Sequence, residues 1–188
     1  LGARLSKVFA EFDPEPIASA SIGQVHRASL RDGRDVAVKV QRPGVAERVS
    51  DDLAAIAEMA GFADRHSEAG RRFGLSDMVA EFRAAMLAEL DYRREAANLI
   101  TLARNLRQFD LLVVPRPVVG LTTDRVLVME LVAGRKVTSV GPLGLMEVEG
   151  DALAEQLFGA YLKQIMVDGF FHADPHPGNV LLTDDGRL

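Results

Sequence analysis

Hydrophobic and polar positions alternate most clearly in "DVAVKVQ" at 35–41, where Val36, Val38 and Val40 fall on one face and Ala37 and Lys39 on the other. That spacing predicts a strand. "RDGR" at 31–34 supplies the hairpin turn before it, with Asp-Gly at its centre. "DRVLVMELV" at 124–132 predicts a second, buried strand, and "NVLLT" a short third one. Helical periodicity predicts a short helix over 1–11, with Leu5, Val8 and Phe9 on one face and "DPEP" ending it. "IASASIGQVHRASL" then reads as a small-residue loop running into a strand. An alanine-rich, charged helix is expected over 45–68, and "EAGRRFG" at 68–74 breaks it. Ser76 is placed as the N-cap of one long helix over about 77–109. Its apolar stripe is Val79, Phe82, Met86, Leu90 and Ala97. "LLVVPRPVV" is extended, "AGRKVTSVGPLG" is loop, and a helix over 150–168 stops at Gly169. Early hairpins and later helices make the chain α+β, in two lobes joined near 130–134.

Composition narrows the class. The chain has 188 residues, 48% hydrophobic and 26% charged, as expected of a folded domain. A net charge of −5 provides no basic field for nucleic acid. The absence of cysteine excludes disulfide scaffolds and thiolate metal sites, and fits a reducing compartment. No apolar run is long enough to span a membrane. Leu1 and Leu188 read as the ends of a piece cut from a longer chain.

Four stretches carry chemistry. Lys39 is either an edge-strand lysine facing water or, with only Ala37 beside it, a cation that reaches phosphate past a flat ligand. "ASASIGQV" puts Ala18, Ala20 and Gly23 where G-x-G-x-x-G would put glycines, so it is either a weak phosphate loop or a closely packed turn. In "ELDYRREAAN", Asp91 and Glu95 lie four apart and share a helical face. They either hold a cation or belong to a solvated face with the pairs Glu89–Arg93 and Asp91–Arg94. "FFHADPHPGN" at 170–179 spaces Asp174 and Asn179 as in the kinase loop H-R-D-x-x-x-x-N. There a carboxylate orients a hydroxyl and an amide oxygen suits Mg²⁺. Pro175, Pro177 and Gly178 fix the loop, and His172 and His176 brace it. His172, Asp174 and His176 also stand at i, i+2, i+4, an alternation that zinc or ferrous ligands could use on a regular strand. Two prolines argue against that strand.

Taken together, "PIASASIGQVHRA", "VAVKVQRPG", "ELDYRREAANL" and "FFHADPHPGNVLL" resemble the ABC1/ADCK/UbiB family of atypical kinases, over residues 16–182. "HADPHPGN" is also similar to the loop of aminoglycoside-phosphotransferase-type kinases, but the alanine-rich loop and the Glu-x-Asp stretch separate the two. The resemblance implies a two-lobed protein-kinase-like fold. Residues 1–132 would form the N-lobe, with a helical insertion at about 45–75 and an αC-type helix at about 77–109. Residues 133–188 would hold the hinge and the start of the C-lobe. It implies a nucleotide site of Ala18, Ser19, Ala20, Ser21, Ile22, Gly23, Val25, Ala37, Lys39, Met129, Glu130 and Val132. Glu95 would pair with Lys39, Glu89 and Asp91 would form the Glu-x-Asp motif, and Asp174 would be the catalytic aspartate. Asn179 would bind Mg²⁺ beside ATP, with the main ligand, an Asp-Phe-Gly aspartate, beyond Leu188; "DDGRL" at 184–188 is only a turn. The Lys-x-Gly-Gln motif is missing from "RLSKVFAEFDP". The implied activity is an ATPase or phosphotransferase serving isoprenoid-lipid or quinone synthesis, cytoplasmic but at a membrane surface, with partner proteins of a lipid-biosynthesis complex. The alternatives are a conventional small-molecule or protein kinase and a non-catalytic nucleotide-sensing pseudokinase.

Overall fold

The computed structural model describes residues 2, 4–141, 149–174 and 176–188. They fall into two compact units, Leu1–Ala96 with Val118–Val128, and Ala97–Pro117 with Met129–Leu188. The chain passes between the units at 96/97, 117/118 and 128/129.

The first unit is built on a four-stranded sheet in the order β1-β2-β3-β4, with β1 at Phe9–Ser19, β2 at Gly23–Leu30, β3 at Asp35–Gln41 and β4 at Val126–Glu130. The Asp-Gly turn joins β2 and β3, with Gly33 at φ +88. β1 corrects the sequence reading. Only Leu5–Val8 is helical (α1), and the strand runs straight through "DPEP". Prolines are tolerated there because β1 lies at a sheet edge and its register shifts on either side of Pro16. Phe9 buries itself with Ala28, Leu30, Val36, Val38 and Val128 to form the core of the sheet. Each large side chain so buried contributes about 1.5–3 kcal/mol.

Helix α2 spans Val45–His66 as expected, burying Val45, Leu53 and Ala60. The presumed break over 68–74 is instead a short helix, α3, at Glu68–Phe73. The single long helix is two, α4 at Leu75–Glu89 and α5 at Tyr92–Asn105. Ser76 does not cap α4; Asp64 of α2 does, accepting from the N–H groups of Leu75 (3.1 Å) and Ser76 (2.9 Å). The expected stripe also shifts. Leu90, Tyr92 and Ala96 are buried, whereas Phe82 and Ala97 are exposed.

In the second unit, residue 111 ends a turn, residues 112–116 belong to no helix or strand, and Pro117 bridges to Met129. The stretch taken as loop contains β5, Gly134–Lys136, paired antiparallel with β6, Leu181–Thr183. Its residues 142–144 lie outside the described residues. Helix α6 spans Gly150–Lys163 and widens into a π turn at Gln164–Asp168 before Gly169, at φ +60, ends it. The turn over Thr183–Arg187 closes through Thr183 N–H to the Arg187 carbonyl, so "DDGRL" is a turn as expected.

Candidate active site

The alanine-rich stretch is the tip of a hairpin rather than a free loop. Ala18 and Ser19 end β1, Gly23 begins β2, and the Ala20 N–H donates to the Gly23 carbonyl at 2.8 Å. Ala18 stands opposite Val25, and Val25 opposite Lys39. Directly opposed residues share a face, so these three make one row across three strands, with Ala37 two residues from Lys39 on that face. Arg42, which follows β3, holds the tip. Its Nε donates to the Ala20 carbonyl (3.1 Å), its Nη2 to Ser19 Oγ (2.9 Å) and its N–H to the Ile22 carbonyl (2.9 Å). Gly23 is glycine for a packing reason: a Cβ there would lie 2.7 Å from Tyr92 Oη and 2.8 Å from the Val40 carbonyl oxygen.

Lys39 Nζ donates to both carboxylate oxygens of Glu95, at 2.9 and 2.8 Å, in a half-buried setting. It also sits 4.8 Å from the centre of the Tyr92 ring, a cation–π contact. The break before α5 aims Glu95. Asp91 is the N-cap of α5: its Oδ1 accepts from Arg93 N–H at 3.0 Å. Gln41 of β3 donates to the Leu90 carbonyl, and Tyr92 N–H to the Asp124 carbonyl at 3.0 Å, which pins the break to the sheet. Asp91 therefore does not share a helical face with Glu95, and Glu89 ends α4, exposed. The local pairs Glu89–Arg93 and Asp91–Arg94 do not form; Arg93 instead lies 3.8 Å from Asp124. Tyr92 is buried with no partner for its hydroxyl, and burial with the Glu95 charge pushes its pKa up to about 12.

In the second unit, Asn179 Nδ2 donates to Asp174 Oδ2 at 2.8 Å. The amide nitrogen is thus spent, and the Asn179 carbonyl oxygen has no partner among the described residues. His172 Nδ1 accepts from Asp174 N–H (3.3 Å) and His176 Nδ1 from Gly178 N–H (3.0 Å). Buried Gln164, in the π turn, accepts from His172 N–H at 3.2 Å and ties this loop to α6. Pro175 lies outside the described residues. Val132, Tyr161, Gln164, His172, Asp174 and Asn179 line one cavity of ≈ 210 Å³, otherwise walled by apolar side chains such as Leu106, Leu157 and Val180. Burial, then the Asp174 charge, pushes the Tyr161 pKa up. Met129 and Glu130 precede the cavity at the end of β4, and Glu130 N–H is bonded to the Arg116 carbonyl at 2.9 Å.

Among the described residues no group of three or more His, Asp or Glu could hold a metal, which removes the alternating His172–Asp174–His176 site. Arg42, Tyr92 and Gln164 are the residues the motifs did not single out. Tyr92 stood inside a quoted motif, and an arginine directly before Pro-Gly at a strand end was the available signal for Arg42.

The comparisons agree along the whole chain. The model of the ABC1 atypical kinase-like domain matches residues 1–188. A protein of Cellvibrio japonicus named probable protein kinase UbiB is 39% identical over 98% of this chain and 34% of its own length. One of Azotobacter vinelandii, with the same name, is 42% identical over 97% of this chain and 34% of its own. The chain thus spans about a third of the curated relatives it matches. The Mycobacterium tuberculosis protein Rv3197, solved in complex with erythromycin, superposes with a TM-score of 0.73 at 34% identity, covering 99% of this chain and 46% of that one. The α+β chain with its four-stranded sheet, strand lysine and helix glutamate belongs to the ABC1 atypical kinase-like family.

Proposed function

We propose that the complete protein binds ATP with Mg²⁺ and acts as an atypical kinase or ATPase of the ABC1/UbiB type. The observation that carries this is the Lys39–Glu95 pair, set in one row with Ala18 and Val25 beneath the alanine-rich tip. A lysine held by a helix glutamate is the arrangement that places an ammonium on the phosphates of a nucleotide in kinases. In this reading Ala18 to Gly23 cover the phosphates, Ala37 and Val25 border the base, and Met129, Glu130 and Val132 form the hinge. The backbone of Val132 has no hydrogen bond among the described residues, which suits an adenine edge. Asp174 orients or deprotonates the attacking hydroxyl, with His172 and His176 as supports. Mg²⁺ usually keeps waters and phosphate oxygens around one or two protein oxygens, and the unengaged Asn179 carbonyl fits such a partial site. Bound there, the ion would neutralise phosphate charge. Glu89 and Asp91 lie near the nucleotide, Asp91 through its cap on α5.

The relatives' name, probable protein kinase UbiB, supports a role in ubiquinone biosynthesis, and we extend that reading to work at a membrane surface with partner proteins of a lipid-biosynthesis complex. Among the described residues no helix is long and apolar enough to cross a membrane. The test is ATP hydrolysis by the complete protein, with and without anionic liposomes and quinone precursors, beside a protein-phosphorylation assay. Hydrolysis stimulated by the lipid additions is the expected result. Phosphorylation of protein without lipid dependence would replace this reading by a conventional kinase, and absence of both nucleotide binding and turnover would replace it by a non-nucleotide role.

A further inference from the structure

We propose that Arg42 is a positioning residue for the phosphate end of the nucleotide, and that the backbone amide of Ser21 is the donor it aims. The inference rests on the nucleotide reading above. Arg42 makes three bonds to one short turn: to Ser19 Oγ, the Ala20 carbonyl and the Ile22 carbonyl. Its own place is fixed from both sides. It follows β3, and Pro43 after it restricts its backbone to an extended form. Its carbonyl accepts from Val45 N–H at 3.3 Å as the chain turns through Gly44, at φ +72, into α2.

The consequence lies in the peptide planes. No peptide bond among the described residues is cis. In a trans peptide the carbonyl and the following N–H point in opposite directions. With the Ala20 carbonyl drawn toward the guanidinium, the Ser21 N–H points away from it. Neither the Ser21 nor the Ile22 N–H has a partner among the described residues. A turn free to rotate would bring carbonyl oxygens toward an anion and repel it. Arg42 holds two of those oxygens back and leaves an amide to face outward, near the strand that carries Lys39. Small side chains at Ala20 and Ser21 leave that backbone approachable. A hairpin tip without its first two glycines gains from side-chain bonding the peptide orientation that glycines reach by backbone freedom.

The test is calorimetric titration of the complete protein with Mg-ATP, Mg-ADP and adenosine. Arg42→Gln is expected to weaken both Mg-nucleotides about tenfold and leave adenosine, which has no phosphate, unchanged. Arg42→Lys keeps the charge but cannot bond Ser19 Oγ and the Ala20 carbonyl together as a fork, so it is expected to weaken both Mg-nucleotides also. Ser19→Ala removes one bond only and is expected to weaken them about twofold to threefold, which decides the matter if the Arg42 variants fail to fold. Unchanged nucleotide affinity, an equal loss for adenosine, or full rescue by Arg42→Lys would each overturn the positioning role. Wild-type protein that binds none of the three ligands would overturn the nucleotide reading itself, and this inference with it.

Discussion

The hydroxyl of Tyr92 stands 2.7 Å from where a Cβ on Gly23 would sit, so α5 and the hairpin tip are fitted to each other at one atom. The Val40 carbonyl oxygen, at 2.8 Å from the same point, closes the other side. Gly23→Ala is therefore expected to destabilise the protein by about 1–3 kcal/mol through overpacking. Tyr92→Phe removes one of the two obstacles and should recover part of that loss in the double variant. Alone, it removes a buried hydroxyl without a partner and should be neutral or stabilising. Urea denaturation of the four proteins measures the coupling, and strictly additive effects would separate the two residues.

The same hydroxyl makes alkaline stability informative. Its pKa in the folded protein, about 12, is above the ordinary value of 10.0. A raised pKa means that the folded state holds the proton more tightly. The resulting stabilisation is fully present below pH 10 and is lost as pH rises toward 12. In Tyr92→Phe this loss should vanish from the dependence of Tm on pH.

Breaking the Lys39–Glu95 pair should separate stability from turnover. Glu95→Gln leaves a half-buried ammonium with a weaker partner and is expected to cost about 1–2 kcal/mol. Its kcat/KM for ATP should fall by at least about tenfold, since the lysine is no longer held for phosphate. Turnover equal to wild type would remove the pair from catalysis.

Asp174→Asn should lower kcat by about 10²–10⁴ while leaving Mg-ATP affinity within about threefold. The bond between positions 174 and 179 can persist through the new side-chain carbonyl, so the loop keeps its support. Equal losses in kcat and affinity would point to collapse of the loop instead.

At the acid end, Asp64 is the group to follow. Hydrogen bonds from the Ser76 hydroxyl and from the N–H groups opening α4 hold its pKa below the ordinary 3.8. A depressed carboxylate stabilises above its unfolded value and loses that effect as pH falls through its folded value. Asp64→Asn should therefore lower Tm at pH 7 and flatten the Tm profile below pH 4, read by circular dichroism.

Much of this was legible in the chain because the signals were local. The Asp-Gly turn and the valine alternation located β2 and β3, and the spacing of Asp174 and Asn179 located their loop. Long-range effects were not legible. A carboxylate on α2 capped α4, so Ser76 looked like the cap when it was only the residue capped. Asp91 looked like half of an acidic helical face, yet its carboxylate ends up bonded to Arg93 N–H at a break held by Gln41 of β3 and by the Asp124 carbonyl just before β4. The Pro-containing stretch looked like a helix stop because periodicity alone cannot show that a strand will lie at an edge with a shifting register.

That edge has a consequence for life in a crowded cell. An unpaired strand edge is a template on which another chain can add itself. β1 carries Pro14 and Pro16, which have no N–H to offer, the acids Glu11, Asp13 and Glu15, and two register shifts around Pro16. Among the described residues, the strand that delivers the alanine-rich tip is thereby a poor template for a further strand along its outer side.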